Sequence, residues 1–505
     1  MAVNQLKAGA VLNYLVIFLN LAIGLLYTPY MLRMMGQSEY GLYSLVASVI
    51  CYLTVLDLGI GNAVIRYTAK FRAECKVKEQ YEMFGMFLLV YLVIGLVALL
   101  LGLGLYFNVD IMFGQTMNPA ELSRARTMML ILVFNLVFTF PMSIFGSIIT
   151  AYEHFIFPKV VNIVRTILNT IIMIILLSIG YKAVAMVVLS TIFNVITLLL
   201  NYLYCKRELH VRICWGHFEL KFMKEVAIYS FWILISVLVD RIYWSTGQFV
   251  LGAVSGTIAV SVFAIAIQLE SMYMSFSTAI ASVFLPKVTA LVVKDNNENE
   301  ISDLFISTGR VQSIVMSFIT LGFFIFGHKF LILWAGDAYS DAYYMALMIF
   351  IALYVPVIQN LGVTILQARN EMKFRSLLYI VIALVALIAE FVCAKKWGGI
   401  GCAVAISVAL VLGQGLIMNW YYMRKQHINI PCFWKQILQM NIIPVIWSLV
   451  FVCIQGSLFP VESWTSLFVA IILYTIIYIP LCWFFSMNDY ERNLIVVPVL
   501  NKFLK

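Results

Sequence analysis

Six polar or charged residues lie within or at the ends of strongly apolar stretches, where they could bind an anionic group or exchange protons. A charge at the centre of a bilayer costs roughly 2.5–3.5 kcal/mol, so each is expected to face protein or a water-filled cavity. Arginine is the basic side chain best suited to hold an anion, because its guanidinium can donate two parallel hydrogen bonds to phosphate oxygens. The candidate cavity residues are Asn20, Asp57, Arg66, Asp240, Arg241 and Glu270.

Arg241 allows a second, purely structural interpretation. It could form an ion pair with Asp57 or Glu270 that serves only to neutralise charge within the membrane. Neighbouring residues of a helix point about 100° apart, so Asp240 and Arg241 cannot both face one partner. The functional interpretation has Arg241 facing a cavity and binding an anionic group, while the carboxylates position it or exchange protons.

Two other polar positions have a structural alternative. Asn20 could line a path for a sugar, or it could hold helices together through interhelical hydrogen bonds. Glu390 is expected to reach water from near the outer end of its helix, as long polar side chains do at membrane boundaries.

The surrounding sequence is that of a membrane protein. Of its 505 residues 63% are hydrophobic and 11% are charged, and the mean hydropathy is +0.98. A typical soluble domain has about 25% charged residues. The stretch Met83–Phe107 contains no charged residue. Because runs of roughly 20 apolar residues cross a bilayer as helices, the sequence predicts an all-α protein with about fourteen crossings.

The positions of Lys and Arg predict the orientation. Most of the 33 basic residues fall on alternate connections, which places both termini in the cytoplasm of a multi-pass protein. This bias also accounts for much of the net charge of +9 without a nucleic-acid partner. Apart from Arg241 in mid-membrane, the basic residues predicted outside that compartment are Arg33, Arg124, Arg126, Lys182, Lys329, Lys395 and Lys396.

The crossings predict two lobes. Residues 1–204 form a first six-helix lobe, 205–225 a cytoplasmic linker, and 226–426 a second six-helix lobe. Residues 427–505 add a helix pair and a cytoplasmic tail. An even number of crossings in each lobe gives a parallel repeat about a pseudo-twofold axis along the membrane normal.

Sequence patterns of the common catalytic and cofactor sites are missing. There is no GxxxxGK[ST] loop, HExxH or GxSxG, and the nine cysteines contain no CxxC pair. We therefore expect a transporter without a cofactor or metal, and not an enzyme.

The segment Met31–Lys70 resembles a known family. The runs Gly36–Ser44 and Leu56–Gly61, followed by Arg66-Tyr67, are similar to the N-terminal signature of bacterial polysaccharide flippases. These are the Wzx-type oligosaccharide transporters of the MOP superfamily. The length, hydropathy and paired lobes extend the resemblance to the whole chain.

The resemblance implies a function and a site. Such flippases carry a polyprenyl-diphosphate-linked oligosaccharide from the inner to the outer leaflet of the bacterial cytoplasmic membrane by alternating access, for surface polysaccharides such as O-antigen. Other membrane proteins of polysaccharide assembly are further candidate partners. The implied cavity lies near Asp57, Arg66, Asp240, Arg241 and Glu270, with cationic residues receiving the diphosphate.

Two alternatives remain open. A MATE-like, cation-coupled antiporter of drugs or metabolites shares the architecture, although such exporters lack the run Glu39–Tyr43. A membrane-embedded polysaccharide polymerase or ligase is more distant, because it would carry a large external loop and 108–126 is short.

The lipid II flippases place several arginines in the first, second and eighth helices, whereas the first helix here has only the terminal Arg33.

Overall fold

The computed structural model describes residues 5–215, 220–294, 298–369, 371–458 and 460–494, and these residues contain helices and no strand. The predicted all-α membrane fold is confirmed. Twelve segments of the described chain are long and apolar enough to cross a membrane. The count of fourteen crossings stays a prediction. Residues 216–219 of the predicted linker and 495–505 of the predicted tail lie outside the described residues.

The chain divides into two compact units. The first comprises 1–264 and 390–399, and the second comprises 265–389 and 400–505. The predicted lobes have other boundaries and stay a prediction. The helices, numbered in chain order, are α1 Gln5–Met35, α2 Gln37–Leu53, α3 Ile60–Ala73, α4 Val77–Phe107, α5 Val109–Phe113, α6 Pro119–Ala151, α7 Ile156–Ser178, α8 Ala183–Arg207, α9 Leu220–Val254, α10 Thr257–Lys294, α11 Glu298–Ala335, α12 Ala342–Ile358, α13 Asn360–Ala368, α14 Met372–Leu410, α15 Met418–Lys425, α16 Ile430–Leu458 and α17 Trp464–Leu481.

Helix α6 is central to the first unit and packs against α2, α3, α4 and α8. Its start is encoded locally by Asn118 and Pro119, a side-chain cap followed by the residue best suited to the first turn. The Asn118 side chain accepts a hydrogen bond from the Glu121 backbone N–H at 2.9 Å, and the Glu121 carboxylate accepts one from the Asn118 N–H at 3.0 Å. This reciprocal pair fixes the point where α6 begins.

Close approach of α4 to α6 depends on small residues. A Cβ at Gly102 would lie 2.4 Å from a methyl of Val133, and one at Gly95 would lie 3.3 Å from the Val137 carbonyl oxygen. Small residues at such positions allow two membrane helices to gain van der Waals contact along their length.

The second unit is built around α11, which packs against α12, α16 and α17. Phe326 on α11, Phe451 on α16 and Tyr474 on α17 form a mutual aromatic cluster with ring centroids 5.3–5.8 Å apart. Hydrogen bonds also join α16 to α11 and α12. The Asn441 amide on α16 donates to Ser313 at 2.9 Å and to Tyr354 at 3.1 Å.

A buried ion pair attaches the end of the described chain to α11. The Arg310 guanidinium donates to both carboxylate oxygens of Glu491, at 2.5 and 3.1 Å, and to the Ser486 carbonyl at 3.0 Å. The Glu491 carboxylate also accepts the Asn488 backbone N–H at 2.9 Å. Both members of the pair therefore have several hydrogen-bond partners.

Helix α14 contains a sharp break at Gly398, where φ is 55° and ψ is −135°. The apolar segment Met372–Lys425 has 54 residues, so as one helix it would be about 80 Å long at 1.5 Å per residue. That is more than twice the thickness of the roughly 30 Å hydrocarbon core. The break at Gly398 divides this segment into two shorter helical parts.

Candidate functional site

The apolar segment Gln37–Ala73 is interrupted at Asp57. Helix α2 ends at Leu53, a 3₁₀ turn covers Thr54–Asp57, and α3 begins only at Ile60. Leu58 and Gly59 between them have positive φ values of 54° and 68°. Non-helical backbone at membrane depth is tolerated only where protein or water satisfies its polar groups, so the break marks a polar location inside an apolar segment.

The Asp57 carboxylate lies at this break and has two hydrogen-bond partners. It accepts a hydrogen bond from the buried Tyr91 hydroxyl at 3.0 Å, and the Gly59 backbone N–H bonds to the same carboxylate. Gly61 lies beside Tyr91, because a Cβ there would be 3.7 Å from the Tyr91 hydroxyl. Asp57 is half-buried and has partners within its own unit.

Asp240 and Arg241 lie on α9 and have different environments. The Asp240 side chain is exposed, and that of Arg241 is half-buried. The buried Nε of Arg241 has no hydrogen-bond partner. Among the described residues of the first unit no carboxylate forms an ion pair with Arg241, and Asp57 instead bonds to Tyr91.

The remaining predicted residues are on separate helices. Asn20 on α1 and Arg66 on α3 are exposed, and the Arg66 guanidinium lies 5.9 Å from the Tyr67 ring centroid. Glu270 on α10 is buried and belongs to the second unit. Asn20 and Arg66 belong to the first unit with Asp57, Asp240 and Arg241. A single cavity that includes Glu270 stays a prediction.

A polar network that the sequence analysis did not identify connects α6, α7 and α8. The Arg165 guanidinium on α7 donates to the Asn194 side chain at 3.3 Å. The Asn194 amide donates in turn to Asn135 at 2.8 Å and to Thr139 at 2.7 Å. The signal available in the sequence was helical spacing, because Asn135 and Thr139 are four residues apart on one face of α6.

A second basic side chain of α7 is also held by an amide. The Lys159 ammonium on α7 donates to the Asn13 side chain on α1 at 2.6 Å. Lys159 and Arg165 both lie on α7, so this helix contributes two basic groups held by amide side chains and not by carboxylates. An amide holds the cation in place without neutralising its charge, so both groups remain electrostatically available to an anion.

The start of α2, where the resemblance to flippases is strongest, takes part in a second polar cluster. The Glu39 carboxylate forms an ion pair with Arg124 on α6 at 2.5 Å. Glu121 accepts hydrogen bonds from Ser38 and from Thr257, the latter at 3.1 Å. These contacts join α2, α6 and the first turn of α10.

Gly41 explains why the backbone of α2 approaches α10 so closely. A Cβ at Gly41 would lie 1.8 Å from the Thr257 carbonyl oxygen, which belongs to the backbone and cannot rotate away. A side chain at position 41 would therefore force the two helices apart.

Glu390 is not where the sequence suggested. It was expected to reach water near the outer boundary, but its side chain is 0% exposed and neither carboxylate oxygen has a hydrogen-bond partner. The expectation was wrong because the sequence does not say which face of α14 is covered by protein. Among the described residues no group of three or more His, Cys, Asp or Glu side chains could hold a metal ion.

Comparison with known sequences identifies the family. A sequence model of the family described as polysaccharide biosynthesis protein matches residues 6–292, which is more than half of the chain. This chain belongs to the polysaccharide biosynthesis protein family. The matched region contains all six of the predicted site residues.

Individual proteins with a similar sequence or a similar fold are also known. A Shigella flexneri protein that is provisionally named an O-antigen transporter is 20% identical over 414 residues, which cover 78% of this chain and 92% of that protein. The lipid II flippase MurJ in an inward closed conformation has a TM-score of 0.71 at 15% identity, covering 97% of this chain and 99% of that one. An inward-facing multidrug resistance MATE family transporter of the MOP superfamily has a TM-score of 0.60 at 16% identity, covering 82% and 99%.

The family and the shared fold confirm the resemblance predicted from Gly36–Tyr67. The chain is a multi-pass membrane protein of the polysaccharide biosynthesis protein family, and its fold is shared with the solved lipid II flippase and MATE transporter. The relatives are named as transporters and flippases, which agrees with the prediction that the chain is not an enzyme.

Proposed function

We propose that this protein is a flippase that carries a polyprenyl-diphosphate-linked oligosaccharide from the inner to the outer leaflet of the bacterial cytoplasmic membrane by alternating access. The family match and the relative named as an O-antigen transporter support the polysaccharide class of substrate. The fold shared with a lipid II flippase supports a lipid-linked form of it. The glycan supplies the polar part of the substrate and the polyprenyl chain stays in the lipid.

The observation that carries this proposal is the state of Arg241. It is a half-buried cation in an apolar helix, its Nε has no hydrogen-bond partner, and no described carboxylate of its unit pairs with it. A diphosphate brought into an apolar environment needs a positive charge, and a guanidinium can bind two phosphate oxygens at once. Arg241 has both the charge and unused donor capacity.

Other residues are assigned roles that follow from their environments. Asp57 is engaged with Tyr91 and Gly59, so it stabilises the helix break at Asp57–Gly59 and leaves Arg241 un-neutralised. Asp240 and Glu270 are proposed to position the cation or to exchange protons.

The exposed or amide-held groups are proposed to line the path of the substrate. Asn20 and Arg66 are exposed, and Arg165 is held by Asn194. Amide groups donate and accept hydrogen bonds, so they can exchange partners with sugar hydroxyls as a glycan passes.

The test compares three variants with the wild type in the native strain. Arg241→Gln should abolish export of the surface glycan while lipid-linked repeat units accumulate on the inner leaflet. Arg241→Lys should retain partial export, because the charge survives and the two-pronged geometry does not. Arg207→Gln, which changes an exposed arginine at the end of α8, is the matched control and should export normally.

A structural role for Arg241 predicts the opposite pattern. If Arg241 only neutralises a carboxylate, Arg241→Gln should lower the amount of folded protein, and a second change, Asp57→Asn or Glu270→Gln, should restore both abundance and export. Restoration of export by either double variant ends the diphosphate-binding hypothesis. An intact surface glycan with accumulation of a dye or drug after gene deletion replaces the flippase by an antiporter.

The proposed orientation, with both termini in the cytoplasm, has its own test. The thiols of Cys75 and Cys214 are exposed and should be shielded from an impermeant reagent in intact cells. A cysteine introduced at the exposed Gln115 should be labelled. Labelling of Cys75 or Cys214 from outside reverses the orientation.

A further inference from the structure

Glu390 lies on the face of α14 that is turned toward protein. Ala386 is 1% exposed and Ala394 is 2% exposed, and these residues fall on the same helical face as Glu390. Ile388 and Val392, on the opposite face, are 63% and 52% exposed. The carboxyl group therefore lies on the face of α14 that is covered by protein, and the opposite face is exposed.

The environment of this carboxyl group contains no compensating charge. Neither oxygen has a hydrogen-bond partner, and Glu390 forms no ion pair among the described residues. An ionised carboxylate in such a place costs several kcal/mol, whereas the protonated acid is neutral and costs far less. In the conformation described here, the burial and the lack of partners favour the neutral form.

The Tyr52 phenol on α2 lies within electrostatic range of Glu390. The Tyr52 hydroxyl is hydrogen-bonded to the Thr246 hydroxyl on α9. This bond is part of the packing of α2 against α9. A negative charge at Glu390 would therefore act on the hydroxyl that joins α2 to α9.

We infer that Glu390 is a proton-binding site that couples proton movement to the transport cycle, an inference that rests on the proposed transport function. In the conformation described here the acid holds its proton. When the site opens to water, the O–H bond breaks, the proton passes to a water molecule, and the carboxylate remains until a hydronium ion from the other side reprotonates it. The charged form changes the electrostatic environment of the Tyr52–Thr246 contact, so proton release and the packing of α2 against α9 influence each other.

The first experiment tests the proton without any substrate. Dicyclohexylcarbodiimide, an apolar reagent that modifies protonated carboxyl groups, is added to membranes containing the whole protein, and modified peptides are located by mass spectrometry. Glu390 should be modified, with a yield that falls as the pH is raised, and Glu390→Gln should lose this adduct. Glu491, equally buried but paired with Arg310, is the internal control and should stay unmodified.

An infrared measurement covers the case in which the carbodiimide cannot reach the Glu390 side chain. The carbonyl stretching band of a protonated carboxylic acid should be present in purified wild-type protein at neutral pH and reduced in Glu390→Gln. If Glu390 is unmodified at every pH and the band is identical in the two proteins, the site does not hold a proton and the inference is wrong.

The second experiment tests coupling in proteoliposomes loaded with lipid-linked oligosaccharide extracted from the native strain. A pH gradient should accelerate translocation by the wild type, and Glu390→Gln should lose that acceleration while keeping exchange in the absence of a gradient. Tyr52→Phe removes the hydroxyl that responds to the charge of Glu390. This variant should still bind the proton at Glu390, but the pH gradient should accelerate its translocation less. Glu462→Gln changes an exposed loop residue and should behave as the wild type.

The outcomes separate this inference from the proposed function. A wild type that translocates no lipid-linked oligosaccharide contradicts the proposed function, and the carbodiimide and infrared results still decide whether Glu390 binds a proton. A wild type that translocates, together with a Glu390→Gln variant that responds equally to the pH gradient, contradicts the coupling.

Discussion

Glu390 and Glu491 are two glutamates with the same degree of burial and opposite surroundings. Glu491 is 2% exposed, and its carboxylate binds Arg310 through two hydrogen bonds and accepts the Asn488 backbone N–H. Glu390 is 0% exposed and its oxygens have no partner. A buried carboxylate with a full set of donors connects one segment of the chain to another. A buried carboxyl group without donors adds nothing to stability, so its presence needs a functional reason.

The largest expected effect is the loss of the paired carboxylate. Glu491→Ala leaves the Arg310 guanidinium buried without its counter-ion, which should cost roughly 3–5 kcal/mol. We expect a large fall in the melting temperature of the detergent-solubilised protein. The double variant Arg310→Met with Glu491→Leu removes both charges and should recover most of the stability. A Glu491→Ala protein that melts like the wild type would show that the Arg310–Glu491 pair does not stabilise the protein.

A smaller effect is expected at Glu121, which is buried and has neutral partners. Its carboxylate caps α6 through the Asn118 N–H and accepts from Ser38 and Thr257. Glu121→Ala should cost about 1–2 kcal/mol, since one helix cap and neutral hydrogen bonds are lost. Glu121→Gln, which can still form the reciprocal cap, is the matched control and should lose less stability in the same melting assay.

Substitution of Glu390 should change the melting temperature in the opposite direction. Replacing it by leucine, which has a similar volume, removes a buried polar group that has no partner, so the melting temperature should be equal to or higher than that of the wild type. Transport driven by a pH gradient should nevertheless be lost. A clear fall in stability would mean that Glu390 has a structural partner, and it would erase the contrast with Glu491.

The smallest effect is expected at Asp489, close to Glu491 in the sequence. Its carboxylate is 93% exposed and lies 3.4 Å from Arg492. Exposed ion pairs contribute little because water and salt screen them. Asp489→Asn should leave the melting temperature unchanged, and a shift comparable to that of Glu491→Ala would show that proximity to the chain end, and not burial, sets the effect.

Some elements of the site could be read directly from the sequence. The polar residues inside apolar runs, Asp57 and Arg241 among them, stand out because their burial in lipid would be costly. The structure places Asp57 at a helix break that includes Gly59. The run Gly36–Ser44 indicated the family, which the match to residues 6–292 confirmed.

Other elements were not predictable from a single sequence. The network of Arg165 with Asn194, Asn135 and Thr139 joins three helices that are far apart along the chain. Asparagine and threonine are inexpensive in a membrane helix, so their presence alone does not distinguish a network from isolated positions.

The sequence by itself determined that this chain is a bundle of membrane-spanning helices, because its apolar runs have no other way to satisfy their backbone hydrogen bonds in lipid. It also determined where α6 begins, since the cap Asn118 and Pro119 are local signals. Only the tertiary structure decided which ionisable groups have partners. Glu491 meets Arg310 and Glu390 meets no donor because helix packing, and not the neighbouring residues in sequence, chooses what covers each side chain.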